Sequence, residues 1–206
     1  MRTRAAYFLA VTVVAATELG CGAAEAPHYY TLVPEAAPAI TAAAGEPISI
    51  EVLPVEVPAQ VDTSLMVVRE GGAEVVPVGS RRWVAPLHDE LRSALSAAVS
   101  SQLGARDVAG GGATGPTYRI KLLVRRFDSS LGANASISAV WTVRDTGAAS
   151  PRTRTCEAHV TEPAKGGFDA LALAHQRAIT KLALQIANNI RIMHDHPDAP
   201  EADCAP

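Results

Sequence analysis

Cys21 is the residue whose chemistry is most sharply framed by its neighbours. It follows Arg2 and Arg4, an apolar run from Ala5 to Thr17, and a small residue, Gly20, directly before it. A basic start and an apolar stretch of about 13 residues make a secretory signal, since a bilayer-spanning helix needs roughly 20. A thiol at the end of such a signal is a candidate for acylation, because each buried methylene contributes about 0.8 kcal/mol to membrane attachment. On this reading Met1–Gly20 is removed and Cys21 becomes the lipid-bearing end of the mature chain. Glu18 departs from the aliphatic residue usual in a lipoprotein cleavage box, so cleavage as an ordinary secreted protein and retention as an uncleaved anchor stay open.

With Cys21 assigned to lipid, Cys156 and Cys204 remain as a pair suited to an oxidising compartment. If Thr153 to Thr161 is a strand and Phe168 to Met193 a helix folding back along it, the helix is about 39 Å long. The chain from Phe168 back to Cys156 covers about 40 Å. Cys156 and the helix end then lie level, and the tail from His194 to Cys204 can close the gap. Two free thiols are the alternative.

Other reactive groupings carry less. Gly110, Gly112 and Gly115 spell GxGxxG, but the loop follows a helix and precedes a strand, the reverse of the order that brings a pyrophosphate to a helix N-terminus. His194, Asp195, His196, Asp198, Asp203 and Cys204 crowd the tail with potential metal ligands, which an acidic unstructured tail explains equally well. His175 falls on or beside the apolar stripe of a helix, the position of a packed core residue. His28, His88 and His159 accompany no nucleophile motif, and Asp89 and Glu90, being consecutive, point apart on a helix. The expectation is a protein without catalysis, metal or cofactor.

The elements that position these residues follow from periodicity. His28–Pro34 has strand composition, Glu35–Pro47 reads as a loop, and Ile48, Ile50 and Val52 alternate with polar residues before Pro54, which places that strand at a sheet edge or a bulge. Leu65–Arg69 and Glu74–Val78 are short strands around Gly71 and Gly72. Leu87, Leu91, Leu95, Val99 and Leu103 recur every four residues, giving an amphipathic helix over 86–103 with Pro86 in its first turn and Gly104 at its C-terminal cap. Tyr118–Phe127, Ala135–Asp145 and Arg152–Thr161 form an antiparallel meander whose outward face carries Arg119, Lys121 and Arg125. A second amphipathic helix follows from near Gly167. The fold class is α+β, a largely antiparallel sheet with both helices packed on one face. The organisation is a signal peptide over 1–20, a lipidated spacer over 21–27, one domain over 28–193 and an acidic, proline-containing tail over 194–206. Net charge is −3 with no basic block, which argues against nucleic acid as a partner, and no later apolar stretch is long enough to span a bilayer.

Trp83, followed by Pro86 and Leu87 at the start of the first helix, can act as a hydrophobic lid on that helix. Its position relative to the other features adds a resemblance. The order of lipoprotein cysteine, Tyr29-Tyr30-Thr31-Leu32 strand, Val55 with Val57-Pro58, Trp83 with Pro86-Leu87, meander and terminal helix resembles the PqiC (YmbA) family of ABC-type transport auxiliary lipoproteins, over about residues 28–192. The resemblance implies a non-catalytic lipoprotein on the periplasmic face of the outer membrane, and Gly22 rather than Asp after the cysteine is compatible with that sorting. It further implies a docking role beside an MCE-domain membrane protein of a Pqi-like lipid transporter, self-association into an oligomer, and partner or assembly contacts involving Trp83, Pro86, Leu87 and Tyr30. The alternative is a monomeric periplasmic lipoprotein that itself binds lipid or a small molecule.

Overall fold

Alternation of apolar and polar residues over positions 117–163 builds the largest unit of the fold. The computed structural model describes residues 25–35, 48–109, 111–112, 115–147, 151–196 and 204. In chain order its elements are β1 (His28–Tyr30), β2 (Ser49–Val52), β3 (Leu65–Gly71), β4 (Glu74–Trp83), α1 (Leu87–Leu103), β5 (Arg106–Asp107), β6 (Thr117–Ser130), β7 (Asn134–Asp145), β8 (Thr153–Pro163) and α2 (Phe168–Asp195). The signal segment, Cys21 and most of the Glu35–Pro47 loop lie outside the described residues.

The strands divide into two sheets, in the orders β5-β2-β6-β7-β8 and β1-β4-β3. The meander β6-β7-β8 is antiparallel, and its inner face buries Tyr118, Ile120, Leu122, Val124, Ile137, Trp141, Cys156 and Val160. α2 lies over β7 and β8, and α1 packs beside α2 and against β2, so both helices cover this inner face. On α2 the buried stripe runs through Leu171, His175, Ile179, Leu182, Ile186, Ile190 and Met193, and the helix continues two residues past Met193 to Asp195. The second sheet is a β3-β4 hairpin with β1 added parallel to β4. Its turn needs φ of +131° at Gly71 and +52° at Gly72, the second a left-handed conformation that glycine adopts without steric cost.

Of the two placements that Pro54 allows, the bulge is the one found: the pairing with β6 slips by one residue between Val52, opposite Ile120, and Glu56, opposite Leu123, and the strand itself begins as an interior one. β2 runs parallel to both β5 and β6, because the chain leaving α1 returns along the free side of β2 in the two-residue β5. Pro54, which has no N–H, falls between the Leu53 bond to the Ile120 carbonyl (2.9 Å) and the Glu56 bond to the Leu122 carbonyl (3.1 Å), so pairing resumes past it. Strand β1 ends at Tyr30 instead of reaching Pro34, since the Leu32 N–H is taken by the Glu90 side chain. Pro86 occupies the N-cap position of α1, one residue ahead of the helix, and its carbonyl accepts from the N–H groups of Asp89 and Glu90. Gly104, at φ +63°, ends that helix in the left-handed conformation. Cys156 on β8 is disulfide-bonded to Cys204 with their Cα atoms 5.7 Å apart, which ties the C-terminal tail to the outer strand of the larger sheet. Among the described residues no helix is long and apolar enough to cross a membrane.

Candidate docking region and the path of the tether

Cys21 itself lies outside the described residues, but the chain it would tether is held firmly from Glu25 onward. Glu25 pairs with Arg81 at 2.9 Å, and β1 then runs beside β4 with Tyr29 level with Arg82 and Tyr30 level with Trp83. Beyond the strand two side chains clamp the backbone. The buried Glu90 carboxylate accepts from the Leu32 N–H at 2.7 Å and the Thr31 hydroxyl at 2.9 Å. Gln176 of α2 donates to the carbonyls of Thr31 (2.9 Å) and Val33 (3.4 Å). A carboxylate is tolerated in so dry a place when its oxygens are hydrogen-bonded, and in the first turn of α1 it also meets the positive end of the helix dipole. The sequence reading noted only that Glu90 points away from Asp89 on α1. What could have flagged it is its i, i+4 spacing from Ala94 on the side of the helix that also carries Leu87 and Leu91.

Trp83 and Leu87 lie in the core, at 2 % and 1 % exposure, so neither offers a surface to a partner. The Trp83 ring meets Phe127 and His175 edge-on at 6.2 and 6.1 Å, and Phe127 and His175 stack at 4.0 Å. Pro86 is exposed, and Tyr30 is half-buried, its phenol pushed up first by burial and then by a hydrogen bond to Asp169. What the buried pair holds in place is an exposed apolar patch that sequence reasoning missed. Tyr29 and Val84 are 61 % and 63 % exposed, and the Val84 N–H donates to the Tyr30 carbonyl at 2.9 Å, which fixes them on adjacent chain segments. Val84 lies one residue past the end of β4, where strand alternation no longer sets its side, so the bond to Tyr30 is what places it.

His175 Nε2 lies 2.8 Å from the Ser129 hydroxyl, the spacing of a nucleophile and its base. The ring is fully buried, and that burial pushes its pKa down to about 3, with Asp128 pulling weakly the other way. An imidazole so poised takes no proton near neutral pH, and the pair is a packed hydrogen bond inside the aromatic cluster. The other candidates stay apart. His194 bonds the Tyr118 hydroxyl at 3.2 Å, while Asp198 and Asp203 lie outside the described residues, as does Gly110. Among the described residues no three His, Cys, Asp or Glu side chains converge as a metal site. Gly112 and Gly115 sit between β5 and β6, where no helix begins.

The outward face of the larger sheet is hydrated and locally neutral. Arg119 pairs with Glu51 at 2.7 Å, Lys121 with Glu56 at 2.9 Å and Arg125 with Glu157 at 2.9 Å, pairs that at such exposure contribute about 0–1 kcal/mol each. Two open grooves mark the surface, one of about 230 Å³ between β3 and β6 and one of about 340 Å³ beside Ile48, Ala105 and Arg106. Both lie at or below the small end of the roughly 300–1,000 Å³ that small-molecule sites usually offer.

Comparison with known proteins places this arrangement. No curated protein matches the chain. A crystal structure described as that of an uncharacterized protein superimposes with a TM-score of 0.61 at 22 % identity, over 81 % of this chain and 99 % of that one. A Xanthomonas campestris protein of family DUF330 superimposes with a TM-score of 0.56 at 19 % identity, over 82 % of this chain and 97 % of that one. The family described as ABC-type transport auxiliary lipoprotein component matches residues 30–187, from the second tyrosine of β1 to deep within α2, and the chain belongs to that family.

Proposed function

We propose that the protein is an auxiliary docking subunit of an MCE/ABC-type intermembrane lipid transport system, non-catalytic and anchored by lipid on Cys21 to the periplasmic face of the outer membrane. The observation that supports this reading best is the clamped path of the chain after the tether. Three residues lie between Cys21 and Glu25, a reach of at most about 14 Å, and beyond Glu25, whose side chain pairs with Arg81, the backbone at Thr31 and Leu32 is held by Gln176 and Glu90. A lipid on Cys21 therefore holds the β1-β4 end of the domain close to the bilayer, and leaves β3 and β8, the outer strands of the two sheets, for contacts with partners or further copies. The small, open, partly charged grooves favour docking over enclosure of a lipid cargo.

The test is purification of the lipidated protein from envelope membranes with its partners, followed by native mass spectrometry. A multimer without cargo that retains an MCE-domain membrane protein is the expected result. A monomer carrying one lipid per chain overturns the docking reading in favour of a carrier, and full-length Cys21→Ser protein remaining in the outer-membrane fraction overturns the anchor.

A further inference from the structure

The groove between the two sheets has a mostly apolar wall from β3 and β4 and a cationic wall from β6. β3 brings Val67 and Arg69 to it, β4 brings Val75, and β6 brings Arg125, Arg126 and Asp128. The cationic wall owes its form to a bulge. Register on β6 shifts between Val124 and Arg126, so the consecutive residues Arg125 and Arg126 are both exposed before Phe127 and Ser129 turn inward again. Bulges re-aim side chains in this way. Arg125 reaches across the sheet to Glu157, where its charge is answered, at 2.9 Å. Arg126 turns to Asp128, donating from Nε at 3.0 Å and Nη2 at 2.6 Å to one carboxylate oxygen. The other oxygen accepts from Arg69 Nη2 at 2.9 Å.

One carboxylate thus faces two guanidiniums. Both of its oxygens are occupied, and one positive charge in the groove has no counterpart. Arg69 spends Nη1 on the Gly72 carbonyl at 3.2 Å, yet Arg69 Nε and Arg126 Nη1 bond no acceptor among the described residues. Planar N–H forks beside an unmatched charge are suited to the oxygens of a phosphate. The volume of about 230 Å³ has room for such a group and a few carbons against Val67 and Val75, and none for an acyl chain. We infer that the groove between β3 and β6 binds the phosphate of a small polar ester, with Arg69 and Arg126 as its donors and Asp128 as the negative charge that competes with it for them. The inference does not rest on the docking role, since the groove lies away from the clamped β1 segment.

Isothermal titration of the purified full chain with dihexanoyl phosphatidylglycerol, and separately with inorganic phosphate, tests it. Binding of at least one probe is expected, weakened about tenfold by Arg126→Gln and unchanged by Arg119→Gln on the outward face. Asp128→Asn should tighten binding, because it removes the competing negative charge, a direction that mere loss of structure would not produce. Phosphatidylglycerol binding tenfold tighter than phosphate assigns the site to a lipid headgroup, and equal binding assigns it to a soluble phosphate. Absence of binding by both probes, or equal affinity in Arg126→Gln protein that melts like the parent, overturns the site. Arg126 is mostly exposed, so its variant should retain the fold.

Discussion

The two sheets are held in place very differently. β6, β7 and β8 each turn every second residue into a core closed by α1 and α2, whereas the ten-residue β4 fully buries only Trp83, and β3 only Met66 and Val68. The smaller sheet is a ledge fastened to the main core at a few points. Those points are the aromatic contact of Trp83, the Arg69–Asp128 pair and the Glu90 clamp beyond β1. Such a division suits an adaptor. The helix-backed sheet supplies stability, and the ledge carries the exposed patch of Tyr29 and Val84 and one wall of the charged groove. Backbone amides of β3 and β4 should accordingly exchange with solvent before those of β6 and β7.

Cutting the fastenings should break this contrast in graded steps. Trp83→Ala removes the one large anchor of β4 and should cost about 3–5 kcal/mol in chemical denaturation, with the loss of protection concentrated in the smaller sheet. Cys156→Ser acts on the other sheet. It opens a covalent loop spanning 48 positions and should cost about 2–4 kcal/mol relative to the disulfide-bonded parent, and the reduced parent should show the same midpoint as the variant. Glu90→Ala leaves the Leu32 N–H buried and unmet, a loss of about 1–3 kcal/mol, and should speed exchange at residues 31–33 while sparing the meander.

The smallest effect is acidic. Glu162 on β8 meets Lys181 at 2.6 Å and Arg177 at 3.0 Å. The hydrogen bond from Lys181, helped by Arg177 and opposed by burial, holds its carboxyl below the ordinary value of 4.5. A pKa lowered by folding gives stability that is present above the unfolded value and lost as pH falls through the folded one. Thermal midpoints should therefore drop below about pH 4.5 in the parent, and Glu162→Gln should flatten that limb. An unchanged acid limb in this variant would show that the α2–β8 contact does not depend on the charge.

Periodicity made the meander and both helices legible because each buries one face against a single large partner, so a repeat of two or of about 3.6 residues records which side is inward. The expectation for the N-terminus likewise rests on one short segment, where charge, apolar length and a cysteine lie together, and that segment is outside the described residues. The partition of strands into two sheets was not, since β1 and β2 are three- and four-residue pieces that pair in parallel with distant segments, and nothing local specifies a partner so far along the chain. Nor was the side of Glu90 or of Arg126. A carboxylate reads as hydrated until a backbone N–H 58 residues away arrives to bind it, and two consecutive arginines read as ordinary strand surface until a bulge turns both outward and leaves them with different partners. Which faces are apolar can be read from the sequence alone. Only the tertiary structure decided which buried polar groups find partners and which charges are left unmatched, because those depend on distances between elements that share no local pattern.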